Sequence, residues 1–340
     1  MTRTLITGSQ GFVGRYLVAA LLASDPEIRI LGVGRSQLCS TFTHRITLPS
    51  ARIPAPLPAG LGRLSNDRRY EYVTSNIRDH SAMRAILREF RPDVIFHLAS
   101  GLRDDAPDHL FGTSVEGTIG LFESVREAAL NLRALVIGSS GSVYGVPAHL
   151  PIAEDAPCEP RDFYAVSKLA EEQVSRILAR ERGLPLIVAR IFNILGPGQD
   201  ERHVAGRFSA QLAAVAAGAT AARVRVGDLS TTRDFIDVRD VAEALIVLAR
   251  RGERGNVYNV ASGVETAVSR ILEVLIREAG LSDTVEVESA YARASDTPRV
   301  VADITRLRAA GYQPATSLEK SLADVLQYYG RAVAMVPQAS

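Results

Sequence analysis

Through its first 190 residues the chain alternates short, almost continuously apolar runs with longer amphipathic segments. "TLIT" precedes residues 12–23, "IRILGVG" and "YEYVT" precede 81–90, "DVIFHLA" precedes 110–130, and "ALVIGSS" precedes 164–182, after which comes "PLIVARI". Runs such as "VIFHLA" and "LIVAR" show no polar alternation, so both faces of each strand must be covered. Strand and helix in alternation then predict an α/β fold, a doubly wound parallel sheet between two helical layers. After about Phe192 the rhythm changes. Segments punctuated by Gly and Pro ("NILGPGQD", "SDTPR") mix with helices over 239–250, 267–280 and 318–329. We therefore expect a first domain over 1–190, completed by about 232–262, and a smaller mixed lobe from 191–231 and 263–335. Residues 36–69, containing "LPSARIPAPLPAGLG", have little periodicity and read as a long surface connection.

The turn between the first strand and the first helix is "TGSQGFVG", with glycines at Gly8, Gly11 and Gly14. At a strand-to-helix turn this spacing serves a tight bend, close approach of a pyrophosphate to the backbone, and close packing of helix on strand. The N–H groups at the helix start receive the phosphates. A dinucleotide is therefore expected. About 20 residues farther on, where an acid would hold the ribose 2′-hydroxyl of NAD, the chain reads "GVGRS". Gly34 leaves room and Arg35 places a cation beside a 2′-phosphate, which favours NADP over NAD, with NAD still possible.

Two further stretches carry acid–base chemistry. "YAVSK" sets Tyr164 and Lys168 four apart at the start of a helix, on one face. A neighbouring ammonium favours the phenolate and so makes a tyrosine useful near neutral pH. In "VIGSSGSVYG" an apolar strand runs into hydroxyl residues that can hydrogen-bond a substrate carbonyl.

Composition excludes several classes. Thirty-nine basic against 38 acidic residues leave no net field for nucleic acid or an anionic membrane. Cys39 and Cys158 alone cannot build a disulfide framework or a cysteine metal cluster, and the six histidines show no metal spacing. His97, inside "VIFHLAS", reads as a packed strand-end residue. No apolar run approaches membrane-span length and no secretory leader is evident, so a cytoplasmic protein is expected.

"TGSQGFVG", "HLAS", "SSGSVYG", "YAVSK", "RIFNILGPG" and "RDFIDVRDVAEAL" stand in the order and spacing of the extended short-chain dehydrogenase/reductases that act on nucleotide sugars, and the chain resembles them from Thr4 to about Tyr329. The resemblance implies a catalytic set of Ser140, Tyr164 and Lys168. It implies cofactor contacts from Gly8, Gln10, Gly11, Phe12, Val13, Gly14, Arg35, Asn76, Ile77, Leu98, Ala99, Tyr164, Lys168 and Ile191. It further implies that Ser140, Ser142, Asn193, Arg207, Arg233 and Arg299 hold a nucleotide-diphosphate sugar, and that the protein is a homodimer pairing the helices of 110–130 and 164–182. Asn76 and Ser114 depart from the usual Asp and Asn of the family.

The dehydratases of this family usually place carboxyl groups directly after the catalytic hydroxyl, and here those positions are Gly141 and Ser142. The C-terminal part is similar to the branch holding GDP-4-keto-6-deoxy-D-mannose reductase and GDP-mannose 4,6-dehydratase. The expected activity is NADPH-dependent reduction of a 4-keto-6-deoxy nucleotide sugar. The alternatives are a 4-epimerase, then a 4,6-dehydratase, then a non-catalytic NADP-binding module.

Overall fold

The computed structural model describes residues 2–48, 51–282, 284–289 and 297–336. In chain order the strands are β1 (Arg3–Thr7), β2 (Arg29–Gly34), β3 (Thr41–Thr47), β4 (Arg52–Pro56), β5 (Tyr70–Thr74), β6 (Val94–His97), β7 (Ala134–Ser140), β8 (Leu186–Ile191), β9 (Asn193–Leu195), β10 (Arg223–Val226), β11 (Thr232–Asp237), β12 (Val257–Val260), β13 (Glu265–Ala267) and β14 (Glu286–Ser289). The helices are α1 (Phe12–Ser24), α2 (His80–Phe90), α3 (Pro107–Phe111), α4 (Gly117–Glu127), α5 (Phe163–Arg182), α6 (Val204–Ala216), α7 (Val238–Arg251), α8 (Val268–Glu278), α9 (Thr305–Ala309) and α10 (Leu318–Ala334).

Seven strands form the expected parallel sheet in the order β12-β8-β7-β6-β1-β2-β5. Successive residues of each strand point to opposite layers. Leu5, Ile95 and Leu135 share a core with residues of α2, α4 and α5, whereas Ile6, Phe96 and Val136 share one with residues of α1 and α7. Burial on both sides explains the unbroken apolar runs. The direction of winding reverses between β1 and β6, which opens a crevice at the C-terminal strand ends.

A smaller core joins α6, α8 and α10 to the β10-β14 pair. Strand β11 lies between β9 and β13 and ties the two cores together, with Phe235 in the smaller and Ile236 in the larger.

Two expectations need correction. Residues 36–69 are not merely a surface connection. They form the antiparallel β3–β4 hairpin, and Phe42, Ile46, Leu48, Ala55, Leu61 and Leu64 are buried in the main core. Prolines at 54 and 56 masked the strand signal, and they are tolerated because the hairpin has only two strands. The helix expected over 110–130 is divided into α3 and α4 by a wide, π-type turn at 112–116. A periodic pattern does not reveal one extra residue in a turn.

Candidate active site

The glycine turn has the geometry its spacing implied. Gly8 sits at φ +72°, and a Cβ there would lie 2.8 Å from the Leu98 carbonyl oxygen. A Cβ on Gly14 would lie 2.3 Å from the Gly8 carbonyl oxygen. Both positions need bare backbone. Thr7 Oγ1 accepts from Leu98 N and Ala99 N, each at 3.2 Å, which stitches the end of β6 to this turn. Gly11 is the N-cap of α1 and no side chain caps it, so the helix start is available to an anion. A cradle of bare backbone at an uncapped helix N-terminus fits the pyrophosphate of a dinucleotide.

From this turn a cleft of about 750 Å³ runs along the strand ends, lined by Phe12, Val13, Leu98, Ser140, Ser142, Tyr164, Lys168, Ile191, Asn193 and Arg233 among others. Ten of the residues singled out in the sequence thus meet in one place. A second hollow of about 680 Å³, on the outer side of α5 beside Gln173, Arg176, Ile177 and Arg180, holds none of them.

Ser140 ends β7 and caps the short turn over Gly141–Tyr144. Its Oγ accepts from Ser142 N at 3.2 Å and from Ser142 Oγ–H at 2.9 Å. Tyr164 stands in the first turn of α5, which Asp162 caps by accepting from Ala165 N at 2.7 Å. The Arg103 guanidinium lies over the Tyr164 ring, 5.3 Å from its centroid, and pairs with Asp162. Lys168, one turn farther on, is buried, and its Nζ lies 2.5 Å from Glu171 Oε2. Burial pulls the lysine pKa down, but Glu171 and Tyr164 outweigh it and the net displacement is upward. Burial pushes the Glu171 carboxyl up to about 7 against the pull of Lys168.

Behind this pair runs a buried polar chain. His97 contacts Thr7 Oγ1 at 2.7 Å and Thr118 Oγ1 at 2.9 Å, and its Nε2 is 3.6 Å from Glu171 Oε1. Burial, with Lys168 adding to it, drives the His97 pKa down to about 3, so the ring is neutral. His97 is packed at the strand end, as its setting in "VIFHLAS" implied.

Other residues lie differently from the reading above. The Gln10 side chain does not face the cleft. Its Nε2 donates to the Ser36 and Gln37 carbonyls at 3.0 and 2.9 Å, and its Oε1 accepts from Cys39 N and Arg15 Nη2 at 3.0 Å each. Buried Arg15 adds bonds to the Cys39 and Thr41 carbonyls, so the pair fastens the loop after β2. Asn76 Oδ1 accepts from Arg78 N at 3.1 Å in a local turn, and Ile77 is buried in the core. Arg207 is exposed on α6 and bonded to the Glu201 and Arg202 carbonyls, outside the cleft lining. Arg299 also lies off the lining, held by Glu265 through two 2.7 Å contacts that draw the carboxyl down to about 2. Arg233 Nη1 donates to the Thr232 carbonyl at 2.7 Å, and the acids that follow it in the chain are engaged with other groups. Asp234 accepts from Ser262 and Gly263, and Asp237 pairs with Arg239.

Arg103, Gln199, Arg202 and His203 also line the cleft, and no motif singled them out. They lie in loops, where no period marks a site-facing residue. Among the described lining residues the only carboxylate is Asp162, which is committed to the α5 cap and to Arg103. Among the described residues no group of three His, Cys, Asp or Glu side chains is placed to hold a metal ion, and no helix is long and apolar enough to cross a membrane.

Comparison with known proteins identifies the family. The profile of the NAD dependent epimerase/dehydratase family matches residues 4–261. GDP-6-deoxy-D-mannose reductase of Pseudomonas aeruginosa is 32% identical over 333 residues, 95% of this chain and 96% of that protein. UDP-glucose 4-epimerase of Mycolicibacterium smegmatis is 31% identical over 96% of this chain and 98% of its own. The solved structure of RMD from Pseudomonas aeruginosa complexed with NADPH superposes with a TM-score of 0.78 at 30% identity, covering 98% of this chain and 100% of the other. A match that runs from β1 through the last strand of the sheet, with relatives aligned end to end, shows that this chain belongs to the NAD dependent epimerase/dehydratase family, the extended type of short-chain dehydrogenase/reductase.

Proposed function

We propose that the protein reduces the 4-keto group of a 4-keto-6-deoxy nucleotide sugar with NADPH. The observation that carries this reading is the closed strand end at Gly141. A Cβ there would lie 2.9 Å from Cδ2 and Cε2 of the buried Phe192 ring, so the position has no room for an acid. Neither Gly141 nor Ser142 can transfer the protons that water loss requires. The P. aeruginosa reductase at 32% identity and the NADPH complex at 30% support the same choice of reaction and cofactor.

The bound dinucleotide supplies the hydride. Ser140 donates a hydrogen bond to the substrate carbonyl, and Tyr164 delivers its phenolic proton to the oxygen as negative charge develops there. The Lys168 ammonium would stabilise the phenolate left behind and would help hold the nicotinamide ribose. Asn193 and Arg233, at the far side of the cleft, would hold the diphosphate; a planar guanidinium fork suits phosphate oxygens. Arg35 would meet the 2′-phosphate of NADPH.

The test is incubation with GDP-4-keto-6-deoxymannose and NADPH, followed by product analysis. One NADPH oxidised per 4-hydroxy sugar formed supports the reading, and Tyr164→Phe should then lower kcat about 10²–10⁴-fold with little change in sugar KM. The M. smegmatis relative favours a second reading, a 4-epimerase. Interconversion of 4-hydroxyl epimers without net cofactor oxidation would decide for it.

A further inference from the structure

Arg35 follows β2, and His109 sits in α3, beyond β6. The two strands flank β1 in the sheet, so a contact between these residues bridges the end of the strand that carries the glycine turn. That contact exists. Arg35 Nη1 lies 2.5 Å from His109 Nε2, and His109 Nδ1 lies 3.1 Å from Asp105 Oδ2. The far wall is well seated, because a Cβ on Gly101 would fall 2.7 Å from Leu110 Cδ2, 3.2 Å from Asp105 Oδ2 and 3.4 Å from His109 Nδ1. The loop and α3 therefore pack directly against bare backbone.

The chemistry of the contact is informative. A guanidinium has only donors, and here it meets a ring nitrogen rather than a carboxylate. The nearby carboxylate stands on the opposite side of the imidazole. An exposed arginine and an imidazole with an acid at its other nitrogen, in contact beyond the strand end that carries the glycine turn, can both donate to an anion that enters beside them.

We infer that Arg35, His109 and Asp105 form a single clamp for the 2′-phosphate of NADPH, with His109 as a second specificity-determining residue in contact with Arg35. The inference rests on the NADPH reading above. With phosphate in place, Arg35 turns its donors to one oxygen and His109 donates from Nε2 to another, while Asp105 Oδ2, 3.1 Å from Nδ1, holds the ring from its other side. The single uncharged oxygen of the 2′-hydroxyl of NADH offers less to this pair than a phosphate does, so the clamp selects between the cofactors.

The test is calorimetric titration of the intact protein with NADPH and with NADH. The wild type should prefer NADPH. His109→Ala should lose about tenfold of that preference through weaker NADPH binding, the scale of one charge-assisted hydrogen bond, with NADH affinity unchanged. Asp105→Asn, which keeps the shape of the wall, should lose part of it. A wild-type preference that survives both substitutions, or an equal loss for both cofactors, would overturn the clamp and leave the NADPH reading standing. Equal wild-type affinities would overturn both.

Discussion

Lys168 and Glu171 form a buried ion pair, Nζ to Oε2 at 2.5 Å, one turn below Tyr164 in α5. The pair gives the site's ammonium a carboxylate partner inside the protein, and that carboxylate contacts Thr118 and, through it, His97. Removing one member of a buried pair leaves the other uncompensated, which typically costs about 3–5 kcal/mol.

This makes the cost of Glu171→Gln depend on pH. The folded pKa of Glu171 is raised to about 7 from an ordinary 4.5, so the native state holds this proton more tightly and wild-type stability falls as pH rises through that window. Near pH 5.5 the wild type still holds this proton and keeps the stability linked to it, so the variant's Tm should lie farthest below the wild type's. Near pH 8 the wild-type carboxyl has ionised against its burial whereas the variant has nothing there to titrate, and the gap should narrow. Thermal unfolding at both values measures it, and a gap independent of pH would contradict the buried titration.

His97 works in the opposite sense. Its folded pKa lies near 3 against an ordinary 6.5, so its contribution to stability is present above about pH 6.5 and is lost as pH falls toward 3. His97→Gln, uncharged throughout, should flatten the loss. Urea unfolding near pH 4.5 and pH 7.5 gives the comparison. The variant should be less stable at the higher pH, since its contacts to Thr7 and Thr118 are altered, yet it should lose less on acidification than the wild type does.

At Gly141 the constraint is steric. Gly141→Ala places a methyl 2.9 Å from the Phe192 ring, which is 6% exposed and has little room to retreat. Overpacking of this kind typically costs about 1–3 kcal/mol. Chemical denaturation should show a loss in that range. An unchanged midpoint would mean that the ring yields, and would remove the steric argument against an acid at this strand end.

The sheet was legible because its central strands carry apolar residues on both faces, as Leu5 and Ile6 do, and a parallel sheet between two helical layers covers both. The glycine turn was legible for a related reason: Gly8 and Gly14 press on backbone, a requirement local enough to appear as spacing. The hairpin carrying Phe42 and Ile46 was not, since its burial depends on partners outside it: Phe42 packs with Phe12 of α1 and against Gly198. Arg35 and His109 are 74 residues apart, and only the strand order brings them together. Gln10, a cofactor contact by the resemblance, also has a role no motif showed: its side chain fastens the neighbouring loop.

The last prediction concerns assembly. Phe122, on α4, is fully buried against the sheet, but Ile119 on the same helix is 36% exposed. On α5, Phe163, Val166 and Ile177 are 62%, 38% and 46% exposed, at spacings of three and eleven residues that return to one face of the helix. Since α4 and α5 pack side by side, these residues belong to one outer layer, and covering it with a second copy would remove apolar surface that the monomer leaves in water. A homodimer built on α4 and α5 is the expected outcome. Sedimentation at micromolar concentration should show the wild type as a dimer, and a Val166→Glu, Ile177→Glu double variant should sediment as a monomer while keeping its far-ultraviolet circular dichroism. A wild type that sediments as a monomer would mean that this face stays exposed and that Phe122 and its buried neighbours account for all the packing these helices do.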